Sequence, residues 1–383
     1  MYNLEPTLDH NECASIFNAA GIYMILDVNT PFATGSLSRE KPWDSYNGDY
    51  FKQVFGVIEA FKNFDNVLGF FAGNEVVNED ATYMTPVYVR AVIRDMKDYI
   101  AKNSKRTIPV GYSAADIRTT LMDTAHYFEC SLKNSTTSNA DFFGVNSYSW
   151  CGDASYKSSG YSTLTEDFSN ATIPVFFSEY GCNEVTPRTW TEVESLYGED
   201  MMKSFSGGLV YEWTEEDNHY GLVAVNGSGK VTTLVDYENL QKQFNKLDMK
   251  QIEAANASQT DIETEECDAS FMTSGTFYNA WDLPKVPSKV SDYIESGLPS
   301  APSGSWVSVT ATTISDTVYD SSGKELSGIE FKVLSDTETN GPDSTGSSSS
   351  GGSSSTSNAA SVNGAPLAMG GIGGLFMLIA SLL

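Results

Sequence analysis

The chain contains a succession of short apolar runs, each of which stops at a polar or acidic residue. The run at residues 66–74 ends at Glu75, and the run at residues 173–178 ends at Glu179. Buried parallel strands read as continuous apolar runs, and strands that alternate with helices form a parallel α/β sheet. Further runs of this kind, separated by amphipathic helical stripes, fill residues 21–27, 108–113, 140–150 and 207–213.

Residues 1–4 resemble the end of one more strand, which brings the predicted number to seven. Repeated βα units at this spacing predict a (β/α)₈ TIM barrel that lacks its first strand and helix. In such a barrel, the residues that perform chemistry lie where the strands end. The predicted fold therefore places Glu75 and Glu179 at one mouth.

Two carboxyl groups at such a mouth can cleave a glycosidic bond with retention of configuration. One carboxylic acid protonates the leaving oxygen and one carboxylate attacks the anomeric carbon, across a separation of about 5–5.5 Å. We therefore predict a carbohydrate-cleaving site with Glu75 and Glu179 as its acids. The alternative for Glu75 is a surface acid in a loop.

Three other residues, Asp27, Tyr148 and Tyr211, also stand at predicted strand ends. Tyrosines at these positions could hydrogen-bond the nucleophile or stack against a sugar ring, but they could equally pack in the core.

Charge and composition narrow the class of ligand. The net charge of −27 argues against binding nucleic acid or anionic lipid and is compatible with an uncharged polysaccharide. Only three histidines occur, far apart, and no cysteines show CxxC spacing, so a zinc site or a Ser-His-Asp triad is not expected. We expect neither a metal nor a cofactor.

The cysteines and glycosylation sequons indicate passage through an oxidising, secretory compartment. Five cysteines leave one without an intrachain partner. No signal peptide precedes the first strand, so we expect the sequence to begin at an internal methionine. Four Asn-X-Ser/Thr sequons begin at Asn134, Asn170, Asn226 and Asn256.

The βα alternation fades beyond about residue 240, so we expect the barrel to occupy residues 1–240. Residues 241–335 would form an extension packed on the barrel. A helix could form over residues 237–251, across the boundary between the two. A small β-sheet could form in the extension from residues 306–314 and 329–334.

Residues 336–358 are rich in Ser and Gly and predict a disordered, flexible linker. Residues 359–383 end in an apolar segment that is too short to span a bilayer. Together with the small residues before it, this segment matches a signal for a glycosylphosphatidylinositol (GPI) anchor, attached at Asn358 or Asn363. The alternative is a frayed hydrophobic end.

Several motifs together resemble one enzyme family. They lie at residues 2–13, 20–23, 26–31, 73–78 and 177–182. In this combination they resemble the fungal β-1,3-glucanosyltransferases of glycoside hydrolase family 72, over residues 1 to about 290. The lack of a cysteine-rich carbohydrate-binding module after the barrel places the chain with the members that have none.

The resemblance implies a retaining transglycosylase that cuts a β-1,3-glucan internally and holds the new reducing end as a glycosyl ester. It then transfers this end to the non-reducing end of a second glucan. Glu75 would be the acid/base, Glu179 the nucleophile and Asn74 a sugar ligand. The other residues that match the family's donor groove are Tyr2, Asp27, Tyr148 and Tyr211.

The resemblance also implies the disulfides Cys130–Cys267 and Cys151–Cys182, with Cys13 unpaired in this chain. It implies a GPI-anchored monomer at the cell surface or cell wall, with glucan chains as donor and acceptor. Two alternatives are a retaining endo-β-1,3-glucanase and a wall-anchored structural glycoprotein. An opened barrel exposes unpaired strand edges, so we expect the sequence as it stands to fold poorly or be inactive.

Overall fold

The computed structural model describes residues 1–334, apart from residues 33, 80, 81, 83, 136, 256–261, 275–279 and 332. Its main sheet has six parallel strands that neighbour one another in chain order. The strands are β1 (Met24–Asp27), β2 (Val67–Asn74), β3 (Val110–Ala115), β4 (Phe143–Ser147), β5 (Val175–Tyr180) and β6 (Gly208–Val210). These six confirm the strands predicted from the apolar runs.

Helices connect the strands and cover the sheet. The longest, over residues 86–103, buries the predicted stripe of apolar side chains against β2 and β3. The helices are α1 (Asn11–Ala19), α2 (Pro42–Ser45), α3 (Gly48–Phe61), α4 (Pro86–Asn103), α5 (Leu121–Glu129), α6 (Tyr161–Asp167), α7 (Glu192–Leu196), α8 (Val235–Phe244), α9 (Met249–Ala254) and α10 (Ser288–Ser296).

The sheet is a half-barrel: in the described residues β1 and β6 do not pair with each other. The first residue runs beside β1, where the Met1 amine donates to the Ile25 carbonyl (2.8 Å) and the Asp27 amide donates to the Met1 carbonyl (2.9 Å). A cavity of about 530 Å³ lies between the two end strands. Its lining is mostly apolar and includes three acidic residues, Asp141, Glu179 and Glu212.

A second sheet contains four short strands in the order β10-β9-β8-β7. They are β7 (Val223–Val225), β8 (Val231–Thr233), β9 (Val318–Tyr319) and β10 (Glu325–Leu326). The predicted strands at residues 306–314 and 329–334 do not form in the part of these segments that the structure describes, where the two pair at an isolated antiparallel bridge between Thr313 and Glu330. Residues 305 and 307 instead donate their backbone amides to side chains of α1, so this segment lies along a helix.

The single helix predicted over residues 237–251 is two helices, α8 and α9. Asp248 separates them, because its side chain accepts from the backbone amides of Lys250 and Gln251 and so begins a new helix. The expected domain boundary at residue 240 falls inside α8.

Disulfides join Cys130 to Cys267 and Cys151 to Cys182, the pairs that the family resemblance implies, and Cys13 is free. The sequon asparagines 134, 170 and 226 are exposed, whereas Asn256 and the expected anchor residue Asn358 lie outside the described residues. Among the residues described, no helix is both long and apolar enough to cross a membrane.

Candidate active site

The two predicted acids lie at the same edge of the half-barrel. Glu75 directly follows β2, and Glu179 is the penultimate residue of β5. Asn146 of β4 connects them: it is the register partner of Glu179, and its Nδ2 atom lies 3.0 Å from Oε1 of Glu75. The charge of Glu75 is also one of the contributions that raise the pKa of Glu179.

Glu179 is held by two tyrosines. The Tyr2 hydroxyl donates to Oε1 (2.5 Å) and the Tyr148 hydroxyl donates to Oε2 (2.6 Å). Glu179 is only 9% exposed, and this burial raises the pKa of its carboxyl group to about 7, while the two tyrosine hydrogen bonds act in the opposite direction. The tyrosines therefore stabilise the ionised form that a nucleophile requires.

Glu75 has a different environment. Its side chain is half-buried, and its backbone has a φ of +48°, in the left-handed region that non-glycine residues rarely occupy. The backbone amide donates to the Ser113 carbonyl on β3 (2.8 Å), which fixes the residue despite this strain. The strained backbone thus belongs to the residue for which the family resemblance implies the acid/base role.

Asn74 and Asp27 also lie at this edge. Asn74 accepts a hydrogen bond from Nδ2 of Asn146 through its Oδ1 atom (3.0 Å). Asp27 is buried and accepts from both the backbone amide and the side chain of Asn29; burial raises its pKa to about 6. Asp27 therefore contacts Asn29, and its charge also raises the pKa of Tyr2.

Tyr211 belongs to a cluster of three aromatic rings above Glu179. Its ring lies edge-on to Tyr148 (6.1 Å between centroids) and to Tyr220 (5.3 Å). The next residue, Glu212, accepts from Asn218 (2.7 Å) and contributes to the raised pKa of Glu179. Sequence reasoning missed Tyr220, which follows no strand, and Glu212, although Glu212 does end an apolar run.

Arg188 was also missed, and it fixes the loops that carry these tyrosines. Its side chain is 2% exposed. The guanidinium forms an ion pair with Asp236 (2.5 Å between Nε and Oδ2) and lies over the Trp190 ring. It also donates to four backbone carbonyls, those of Gly181, Tyr211, Tyr220 and Gly221. Nothing in the local sequence around Arg188 indicates this role, because its partners come from four separate segments.

A parallel half-barrel with two carboxyl groups at its C-terminal edge is the architecture of a TIM-barrel glycosidase. The family profile described as glucanosyltransferase, glycoside hydrolase family 72, matches residues 1–248. The chain belongs to this family.

Named relatives and solved structures agree with this membership. The chain is 59% identical over 342 residues to the 1,3-beta-glucanosyltransferase gel2 of Aspergillus fumigatus, covering 89% of this chain and 72% of gel2. It is 46% identical to the probable 1,3-beta-glucanosyltransferase GAS3 of Saccharomyces cerevisiae, covering 78% of this chain and 59% of that protein. The structure of Saccharomyces cerevisiae Gas2p with laminaripentaose is 39% identical, with a TM-score of 0.67 over 76% of this chain and 63% of that one. The chain thus spans about three fifths of the yeast relatives and more of gel2.

Proposed function

We propose that this chain is a 1,3-β-glucanosyltransferase that remodels the β-1,3-glucan of a fungal cell wall. The observation that carries the proposal is the pair of acids at one sheet edge. Glu179 accepts hydrogen bonds from two tyrosine hydroxyls, and Glu75 accepts one from the Asn146 side-chain amide. Relatives named as 1,3-beta-glucanosyltransferases support the reaction, and the laminari-oligosaccharide complexes of Gas2p support the substrate class.

In the first step, Glu75 protonates the glycosidic oxygen of the leaving group, while a carboxylate oxygen of Glu179 attacks the anomeric carbon. The glycosidic bond breaks, and the new reducing end is held as an ester on Glu179. In the second step, Glu75 removes a proton from an acceptor hydroxyl, which attacks the same carbon and releases Glu179. The acceptor is the non-reducing end of another glucan, so one chain becomes longer.

The surrounding residues have binding roles in this proposal. Asn74 holds the sugar whose bond is cut, since its amide stands directly before Glu75. Tyr148 and Tyr2 keep Glu179 ionised and correctly turned for attack. Asp27 and Tyr211 line the donor side of the groove.

The cellular setting is part of the same proposal. The exposed sequons at Asn134, Asn170 and Asn226 suit a protein glycosylated in the secretory pathway, and Asn256 would be a fourth site. Residues 359–383 would be exchanged for a GPI anchor at Asn358, placing the enzyme at the outer surface of the plasma membrane or in the wall. We propose that it acts there as a monomer.

The product sizes from a reduced laminari-oligosaccharide test the reaction. Transfer gives products longer than the starting oligosaccharide, which mass spectrometry or chromatography resolves. Only shorter products would favour the alternative, a retaining endo-β-1,3-glucanase in which water resolves the ester. Binding of laminarin without any change in its length would favour a structural glycoprotein.

A further inference from the structure

A buried polar network lies beneath the two acids. Asn146 is 3% exposed, and its Oδ1 atom accepts from the hydroxyls of Ser113 on β3 (3.0 Å) and Ser178 on β5 (2.7 Å). The two serine oxygens are 2.7 Å apart and are also buried. Gly144 makes room for this network, because a Cβ atom at that position would lie 2.4 Å from the Ser178 hydroxyl.

The network determines which way the Asn146 amide points. The two serine hydroxyls have two hydrogens for three contacts: one between the serines, and one from each serine to Oδ1 of Asn146. Only one serine can donate to the other, so at least one hydroxyl donates to Oδ1. On the other side, Nδ2 faces two oxygen atoms, Oδ1 of Asn74 and Oε1 of Glu75, both at 3.0 Å. A flipped amide would point its oxygen at Oδ1 of Asn74, which cannot donate, so Asn74 opposes the flip whether Glu75 is ionised or protonated.

We propose that Asn146 is a positioning residue that selects the oxygen of Glu75 that carries the transferred proton; this rests on the acid/base role of Glu75 proposed above. Nδ2 of Asn146 already donates a hydrogen to Oε1 of Glu75, so a proton bound to Oε1 would be placed against that hydrogen. The proton therefore resides on Oε2 and is given from there to the leaving oxygen. In the second step, the acceptor's proton returns to Oε2.

The same amide orients Asn74. With Oδ1 of Asn74 occupied by Nδ2 of Asn146, the other end of the Asn74 amide, its NH₂ group, is the end left to donate to a sugar hydroxyl. The buried side chain of Asn146 thus determines which atoms of Asn74 and of Glu75 are left to donate a hydrogen to the substrate.

The variant Asn146→Asp tests the proposal, because it keeps the shape and replaces the donor by an acceptor. A carboxylate here repels the charge that forms when Glu75 loses its proton. We expect kcat to fall at least about 10-fold and the alkaline limb of kcat/KM to move up by about one pH unit. With a laminari-oligosaccharyl fluoride donor, whose leaving group needs little protonation, the loss should shrink to about 3-fold or less.

The matched control is Asn66→Asp. Asn66 is an equally buried asparagine at the opposite end of β2, and it donates to the carbonyls of Ala14 and Ile22. We expect this variant to unfold at lower temperature and to keep the wild-type pH profile. A second test variant, Ser113→Ala/Ser178→Ala, retains the amide but removes the donors that orient it. We expect it to shift the alkaline limb in the same direction by a smaller amount, which provides a result if Asn146→Asp does not fold.

An unshifted alkaline limb in both the Asn146→Asp and double-serine variants, with equal losses on the glucan and fluoride donors, overturns the proposal. Failure of the proposed function looks different, since there Glu75→Gln would retain transfer. If the wild type only hydrolyses glucan, the test remains valid, because hydrolysis uses the same acid in its first step.

Discussion

The ends of β2 and β5 present two carboxyl groups in contrasting surroundings. Glu75 is half-exposed, has a left-handed backbone and is bound by an amide that belongs to a serine–asparagine network. Glu179 is buried, has a regular strand backbone and is bound by two phenols. The two carboxyl groups therefore differ in accessibility and in hydrogen-bond donors. On Glu179 burial raises the pKa, and the two phenols are what favours the ionised form that a nucleophile requires.

The largest effects should come from removing either carboxylate. We expect Glu75→Gln and Glu179→Gln each to lower transfer on laminarin by about 1,000-fold or more. With a laminari-oligosaccharyl fluoride the two should diverge, since only Glu75→Gln can still form the ester. Equal behaviour of the two variants on the fluoride would mean that the acids do not have separate roles.

Next in size is the loss of one phenol at Glu179. Tyr148→Phe removes a hydrogen bond that opposes the rise in the pKa of Glu179. The nucleophile is then protonated at higher pH, so we expect kcat to fall about 10- to 100-fold and the acidic limb of kcat/KM to move upward. Tyr23→Phe is the control, because Tyr23 is 53% exposed and lies just before β1, at the N-terminal ends of the strands and away from the two acids. An acidic limb that stays in place in Tyr148→Phe would show that this phenol does not favour the ionised carboxylate.

At the loops that support the Glu179 side, the expected effect is a loss of stability. Arg188→Met removes the cation from a buried ion pair with Asp236 and takes one donor away from each of four backbone carbonyls. We expect a loss of about 3–5 kcal/mol in unfolding free energy, measured by chemical denaturation. Near-normal stability would contradict the role of Arg188 as the residue that fixes Tyr211 and Tyr220.

The smallest expected effect is a gain in stability. Burial raises the pKa of Glu179 and of Glu192 to about 7. An acid whose pKa is raised by folding binds its proton more tightly in the folded state, so stability is lost as pH rises from about 4.5 to 7 and the loss is complete above 7. At pH 8 we therefore expect Glu179→Gln to melt a few degrees above the wild type, and at pH 4 to melt at nearly the same temperature. A lower melting temperature at pH 8 would show that burial does not disfavour this carboxylate.

The main sheet could be predicted from the sequence because each of its strands, even the three-residue β6, lies within a longer apolar run that has its own local signal. The small sheet could not, since its strands of two or three residues carry little pattern and pair across almost 90 residues of chain, as Val231 does with Val318. For residues 306–314 the sequence predicts a strand that the structure does not contain. Their β-branched residues favour a strand, but the segment starts against α1, where the Val307 amide donates to Ser15.

The two acids could likewise be found, because each ends an apolar run. Asn146 lies inside such a run, and Ser113 and Ser178 are the last residues of two others, but a polar residue at these positions gives no sign of its partners. Their meeting depends on the register of β3, β4 and β5, which a linear pattern does not contain. Arg188 and Tyr220 are on loops whose positions follow from long-range contacts alone.

The most direct measurement is to trap the ester with a 2-deoxy-2-fluoro laminari-oligosaccharyl fluoride and locate it by peptide mass spectrometry. The account predicts one added glycosyl group, on the carboxylate of Glu179. A label on Glu75 or on the neighbouring Glu212, with Glu179 unmodified, would contradict it.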